Sequence, residues 1–219
     1  GLVLLRMRPE ILGATLSNLA HGVIFVSGSN GKSTTTTMLA SVLRAHGMRV
    51  FTNPAGGNLP QGLASALVAQ ASLRGRLRAD IAVLEVDEAY GAQIAALVKP
   101  DWVALTNVQV DQLNRFGEPE NVYRMLHDLS AGASHGVVLN AGDPNLAMMG
   151  AKLSQSGQLV HTIDVSDQAR LSASHGLVPA ALFFDQEEDP GANINHSAPR
   201  ALLRTMEGSV ATIEVSGNS

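Results

Sequence analysis

Short apolar runs recur along the chain, each followed by a polar turn and then by apolar residues at helical spacing. Val23 to Val26, Arg49 to Thr52, the apolar part of Asp80 to Glu88, Trp102 to Thr106 and Gly136 to Leu139 read as strands. Between them, Ser33 to Arg44, Pro60 to Leu73, Ala89 to Val98 and Pro119 to Ala131 have helical patterns. Their apolar positions are Met38, Leu39, Val42 and Leu43, then Leu63, Leu67 and Val68, then Val122, Met125, Leu126 and Leu129. Residues 1–8 read as a short strand or extended arm, and Pro9 to Leu19 as a helix with Pro9 in its first turn. Strands alternating with helices over short connections predict an α/β fold, a doubly wound and mostly parallel sheet with helices on both faces. Beyond about residue 155 the pattern changes. Leu159 to Val165 and Ala180 to Phe184 read as further strands, and Asp185 to Pro199 as a loop by composition. Leu202 to Met206 and Ser209 to Val215 can pair as a hairpin across Glu207 and Gly208, a small antiparallel portion at the C-terminal end.

The first strand breaks into the turn Gly28-Ser-Asn-Gly-Lys-Ser-Thr34, which opens a helix. A strand, a glycine turn and a helix N-terminus is the geometry that cradles phosphate, because backbone N–H groups and the helix dipole supply fixed positive potential. In that reading Gly28, Ser29, Asn30, Gly31, Lys32, Ser33 and Thr34 surround a triphosphate. Lys32 neutralises the β/γ-phosphates, and the Ser33 hydroxyl holds Mg²⁺. The general P-loop pattern asks for a glycine where this chain has Val26, so the match is to a shorter loop, Gly-x-x-Gly-Lys-Ser-Thr.

Composition narrows the picture. A chain of 219 residues, 45% hydrophobic, can bury a substantial core. A net charge of −4 without long basic runs argues against a nucleic-acid surface. There is no cysteine, so neither a disulfide framework nor a Cys-based zinc site is expected, which fits a cytoplasmic location. The apolar run near the N-terminus is too short for a signal peptide or membrane span. Lysine occurs only as Lys32, Lys99 and Lys152, which singles out the one in the glycine turn.

Acids and amides cluster at the strand ends, the ligand-binding edge of such a sheet. Glu85 is still inside the strand register and is the candidate for Mg²⁺, while Asp87 and Glu88 suit capping of the next helix. Thr106 ends the fourth strand and Asn107, Asp111 and Gln112 follow it, Asn140 and Asp143 follow the fifth, and Asn58 lies in the loop after the second. His161, His175 and His196 have no metal-ligand spacing and receive no role.

These residues together resemble the Mur ligase family, ATP-dependent enzymes that form amide bonds on peptidoglycan precursors and folates, and the resemblance is to their central ATPase domain. The short glycine loop, Glu85, Thr106-Asn107 with Asp111, and Leu139-Asn-Ala-Gly-Asp143 occur in the family's order. The resemblance implies Glu85 as magnesium ligand and Asn140 as a contact to adenine. It also implies residues 1–20 as an N-terminal arm and helix, and residues 21–219 as the ATP-binding domain. That domain is expected to be incomplete at its C-terminal end, with the closing ligase domain absent. Within the family the chain is similar to the MurT-type subunit of lipid II isoglutaminyl synthase, through Gly57-Asn-Leu-Pro-Gln-Gly-Leu-Ala-Ser-Ala66, Glu85-Val-Asp-Glu88 and Asp111 to Glu118. Amino-acid-adding members usually carry histidine at the position of Gln112 and a carbamylated lysine on the following helix, and this chain has no lysine between Lys99 and Lys152. The four-cysteine zinc ribbon common in MurT-type proteins is missing too, so zinc is not expected.

The implied activity is an ATP- and Mg²⁺-dependent ligation through an acyl phosphate: amidation of the D-glutamate α-carboxyl of lipid II. A glutamine amidotransferase subunit of the GatD type is the implied partner and ammonia source, and a lipid-linked peptidoglycan precursor the substrate. Two alternatives stand beside it, an amino-acid-adding muropeptide or folylpolyglutamate-type ligase and an ATP-binding regulatory module without ligase activity.

Overall fold

The computed structural model describes residues 1–53, 56–72, 76–109, 119–167, 169, 199–207 and 210–216. Strand β1 (Val23–Ser27) lies inside a sheet and leads through the glycine turn into helix α3 (Lys32–Ala45), preceded in the chain by α1 (Leu2–Met7) and α2 (Ile11–Leu16). Then come β2 (Val50–Phe51), α4 (Pro60–Gln70), β3 (Ile81–Glu85), a 3₁₀ turn over Glu88–Tyr90, α5 (Gly91–Leu97) and β4 (Trp102–Leu105). Helix α6 (Pro119–Ala131), β5 (Gly136–Asn140), α7 (Pro144–Gln155), β6 (Val160–Val165), β7 (Ala201–Glu207) and β8 (Val210–Val215) complete the described elements.

The strands form one sheet in the order β2-β3-β1-β4-β5-β6-β7-β8. All pairings are parallel except β7 with β8, which is antiparallel. From β1 the chain travels to one side to make β2 and β3, then crosses to the other side for β4. The end of β1 is therefore the topological switch point, where open α/β sheets bind ligands.

Every residue of β3 is buried, as expected of a strand covered on both faces. Phe25, Leu84, Val103, Leu105, Val137 and Leu139 form the middle of the core, closed over by Leu63, Ile94, Leu126 and Leu146 from the helices. Each such aliphatic side chain contributes roughly 1.5–3 kcal/mol of burial, and together they hold the strand ends rigid under the site. At the opposite end of the strands Trp102 stacks between His135 and His161, with ring centroids 6.4 and 5.7 Å away. His161 thus packs in the fold; His175 and His196 lie outside the described residues.

Several details differ from the sequence reading. Residues 2–7 form a helix rather than a strand or arm, because Leu4 and Leu5 pack sideways onto the core. The second helix starts after Pro9, at Ile11. On α3 the inward positions are the small residues Thr36 and Ala40, while Met38 and Val42 are exposed, since α3 packs close to the sheet. Val68 likewise faces outward, and Ala64 and Ala66 are buried in its stead beside Leu63 and Leu67. Met125 lies at the margin of α6, with Val122, Leu126 and Leu129 buried. The hairpin forms as expected, and its first strand adds parallel to β6. The strand expected at Ala180 to Phe184 and the loop from Asp185 lie outside the described residues.

Candidate functional site

The site is built from the loops after β1, β2, β3, β4 and β5. Ser27, buried at the end of β1, donates its hydroxyl to the Val86 carbonyl at 2.9 Å, tying the ends of β1 and β3 together. The turn then needs two glycines with positive φ, Gly28 at +126° and Gly31 at +82°. Gly31 caps α3 without a side-chain hydrogen bond, so the first N–H groups of the helix stay available to an anion. Lys32 curls back from the first position of α3. Its Nζ donates to Gly28 O at 2.6 Å, Ser29 O at 3.0 Å and Glu88 Oε2 at 3.1 Å.

The segment after β4 holds the turn from the other side. Asn107 Oδ1 accepts from Asn30 N at 3.0 Å, and Asn107 Nδ2 donates to Asn30 O at 3.0 Å. Thr106 Oγ1 donates to the same carbonyl at 2.6 Å. Ser29 N donates to Asn107 O, and Gln109 N donates to Ser29 Oγ, both at 2.9 Å. The Gln109 side chain accepts from Asn30 Nδ2 at 2.9 Å. Both backbone groups of Asn30 are thereby satisfied from outside the turn, which a short loop cannot do for itself.

Beside the turn stands the end of β3. Strand β2 stops at Phe51, and the side chain of Asn53 continues its ladder. Asn53 Oδ1 accepts from Glu85 N, while Nδ2 donates to Glu85 O and to Gly57 O, each at 2.9 Å. This amide fixes the backbone of Glu85 and the loop carrying Asn58, whose Nδ2 donates to Glu85 Oε1 at 3.4 Å. The Glu85 carboxylate is only 4% exposed and has no cationic partner among the described residues. Asp87 caps the following turn by accepting from Ala89 N at 3.0 Å. Glu88, 5% exposed, pairs with Lys32.

On the far side of the turn, Asn140 Nδ2 donates to Thr106 O at 3.0 Å, and its Oδ1 accepts from Gly142 N at 3.0 Å. Asn140 lines a cleft of about 260 Å³ together with Thr35, Leu105, Thr106, Ile163 and Asp164. Asp143, 2% exposed, accepts from Val108 N at 2.7 Å, Asn145 N at 2.9 Å and Leu146 N at 3.4 Å. Its carboxylate caps α7 and anchors the segment after β4.

Gly28 to Thr34, Asn58, Glu85, Asn107, Asn140 and Asp143 thus share one strand edge, whereas Asp111 and Gln112 lie outside the described residues. Within it, Asn107, Asn140 and Asp143 are all occupied with the protein's own backbone. Sequence reasoning missed Asn53, Gln109 and the partnership of Glu88 with Lys32. Asn53 could have been found, since it follows a parallel strand as Asn107 and Asn140 do. Nothing in the sequence distinguishes Glu88 from a helix cap. The hard oxygen donors Ser33 and Glu85, with a buried carboxylate lacking a cation, fit a Mg²⁺–nucleotide complex. Among the described residues no cluster of three His, Cys, Asp or Glu could hold a metal by itself.

A glycine-lysine turn at the switch point of a parallel sheet, flanked by an acidic strand end, defines a P-loop α/β domain. The chain belongs to the Mur ligase family, its residues 26–188 matching the Mur ligase middle domain. It is 35% identical over 147 residues to the lipid II isoglutaminyl synthase (glutamine-hydrolyzing) subunit MurT of Streptococcus pneumoniae, covering 67% of this chain and 32% of that protein. It is 31% identical over 159 residues to a UDP-N-acetylmuramate–L-alanine ligase of Rhodococcus opacus, covering 69% and 28%. The chain therefore spans about a third of the length of these curated relatives. Among solved structures, a MurF ligase from Thermotoga maritima in complex with ADP superposes with a TM-score of 0.63 at 20% identity, covering 96% of this chain and 42% of that one. Among the described residues no helix is long and apolar enough to cross a membrane.

Proposed function

We propose that this chain is the nucleotide-binding part of an ATP-dependent ligase that activates a carboxylate as an acyl phosphate. The observation that carries the reading is the juxtaposition of the uncapped start of α3, Lys32 and the buried Glu85 at one strand edge. The triphosphate would lie along residues 28–34 and the base in the cleft beside Asn140. The substrate carboxylate oxygen attacks the γ-phosphorus as the bond to the β,γ-bridging oxygen breaks, and ADP leaves. A nitrogen nucleophile then adds to the acyl carbon and expels phosphate. Such transfer is mostly positioning and charge stabilisation, which Lys32 and the α3 N–H groups supply. Ser33 and Glu85 would hold Mg²⁺, whose charge would offset that of the triphosphate.

For the acceptor we infer ammonia, delivered by a glutaminase subunit, and for the substrate the D-glutamate α-carboxyl of lipid II. The similarity to the MurT subunit supports this choice, as does glutamine in place of histidine at Gln112. The comparable similarity to the L-alanine ligase favours, as a second reading, addition of an amino acid. The test is phosphate release by the intact protein, with its glutaminase partner, lipid II, glutamine and ATP. Release that requires lipid II, with amidation of the glutamate, supports the first reading. Release that requires a free amino acid supports the second, and no release under either condition overturns both.

A further inference from the structure

We propose that Glu88 makes the loop selective for metal-bound over metal-free nucleotide, by serving as the resident counter-ion of Lys32. The proposal rests on the ATP-binding reading above and adds to it a specificity-determining residue.

An ammonium has three N–H donors, and all three of Lys32 are engaged, with Gly28 O, Ser29 O and Glu88 Oε2. A phosphate that recruits Lys32 has to displace or share one of these acceptors. Two are carbonyls of the turn itself, and that turn is fixed by Thr106, Asn107 and Gln109. Glu88 is the one charged acceptor and the one that comes from another element, and it is the partner a phosphate replaces. Its carboxylate is 5% exposed and the Lys32 side chain 14% exposed, so water does little to screen either. Once Lys32 turns to phosphate, Glu88 is left buried beside a second anion, with no other cation from the described residues paired to it. Metal-free ATP adds only negative charge to this place. A metal-bound nucleotide brings the divalent cation that compensates Glu88 and Glu85 together. The penalty set by Glu88 therefore falls mainly on the metal-free form.

The test is calorimetric titration of the intact protein with ATP in excess chelator and with ATP in excess Mg²⁺. Glu88→Gln keeps the length and an acceptor for Lys32 but removes the charge. It is expected to tighten metal-free ATP by about tenfold, the scale of removing one weakly screened like-charge contact, while MgATP changes much less. Glu88→Met, uncharged and of similar size, is expected to do the same if the amide variant fails to fold. An unchanged ratio of the two affinities overturns the proposal. So does an equal loss of both, which would make Glu88 a structural residue only. A folded wild-type protein that binds neither form overturns the ATP reading itself, and this proposal with it.

Discussion

The side-chain amide of Asn107 holds both backbone polar groups of Asn30, accepting from its N–H and donating to its carbonyl, each at 3.0 Å. The contact joins the phosphate-type turn to a strand end more than seventy positions away in sequence. Asn107→Ala is expected to leave the fold cooperative and to loosen the turn. Each net hydrogen bond contributes about 1 kcal/mol, so nucleotide affinity should fall roughly tenfold. Titration with ADP measures this, and unchanged affinity would show that the turn is rigid without the clamp.

Lys32→Ala removes the proposed phosphate partner and the observed partner of a buried carboxylate. Stability should drop by about 3 kcal/mol, the low end for orphaning a buried charge, and nucleotide binding should be lost. Lys99→Ala and Lys152→Ala, at exposed positions, should do neither. In the double variant Lys32→Ala/Glu88→Gln, stability should recover while binding does not. Urea denaturation and calorimetry separate the two effects.

The two turn glycines should respond unequally. A Cβ at Gly28 would run into Thr106 Oγ1 and lie 2.9 Å from Asn107 O, whereas one at Gly31 meets open space. Gly31→Ala should cost about 1–2 kcal/mol, the left-handed penalty alone. Gly28→Ala should cost clearly more and disrupt the Thr106–Asn107 clamp. Equal costs by denaturant titration would falsify this account of the turn.

Asp143→Ala should act on stability. It removes the cap of α7, worth about 0.5–2 kcal/mol, and orphans the buried Val108 N–H at a further cost of about 1–3 kcal/mol. Asp143→Asn, which keeps an acceptor oxygen, should recover part of the loss in thermal unfolding.

Burial pushes the Tyr123 phenol up to about 12, from an ordinary value of 10.0. A raised folded-state value favours the protonated form, so its stability contribution is full below pH 10 and is lost as pH rises toward 12. Tyr123→Phe should flatten the decline in stability over that window and remove one late-ionising phenol from the ultraviolet titration. An unchanged alkaline limb would place the decline in other groups.

The parallel sheet was legible because β1, β3, β4 and β5 are uninterrupted apolar runs that end abruptly in polar residues. The same abruptness exposed Gly28 to Thr34, Glu85, Asn107 and Asn140 as neighbours at one edge. Harder to see was what each side chain would bind. Asp143, Asn107 and Asn140 read as available to a ligand, yet all three spend oxygens on backbone N–H groups, a demand set by how the loops meet in three dimensions. Helix α7 is hard to read from the sequence because Asn140 to Asn145 has the composition of a loop, and Asp143 and Pro144, which cap and open the helix, fall inside that stretch. The outward turn of Met38 and Val42 was equally hidden, since helical spacing gives a stripe without saying which side of it meets the sheet.

The two ends of the sheet are unlike one another. Strand β2 is two residues long, and the Asn53 side chain occupies the hydrogen-bonding positions that follow it. Strand β8 is six residues long, ends the sheet among the described residues, and exposes Ile213 and Val215. A short edge offers a foreign strand almost nothing to template on, and a long apolar one offers a full row of donors and acceptors. Among the described residues, strand addition is therefore directional, favoured at β8 over β2 and remote from the ends of β1 and β3.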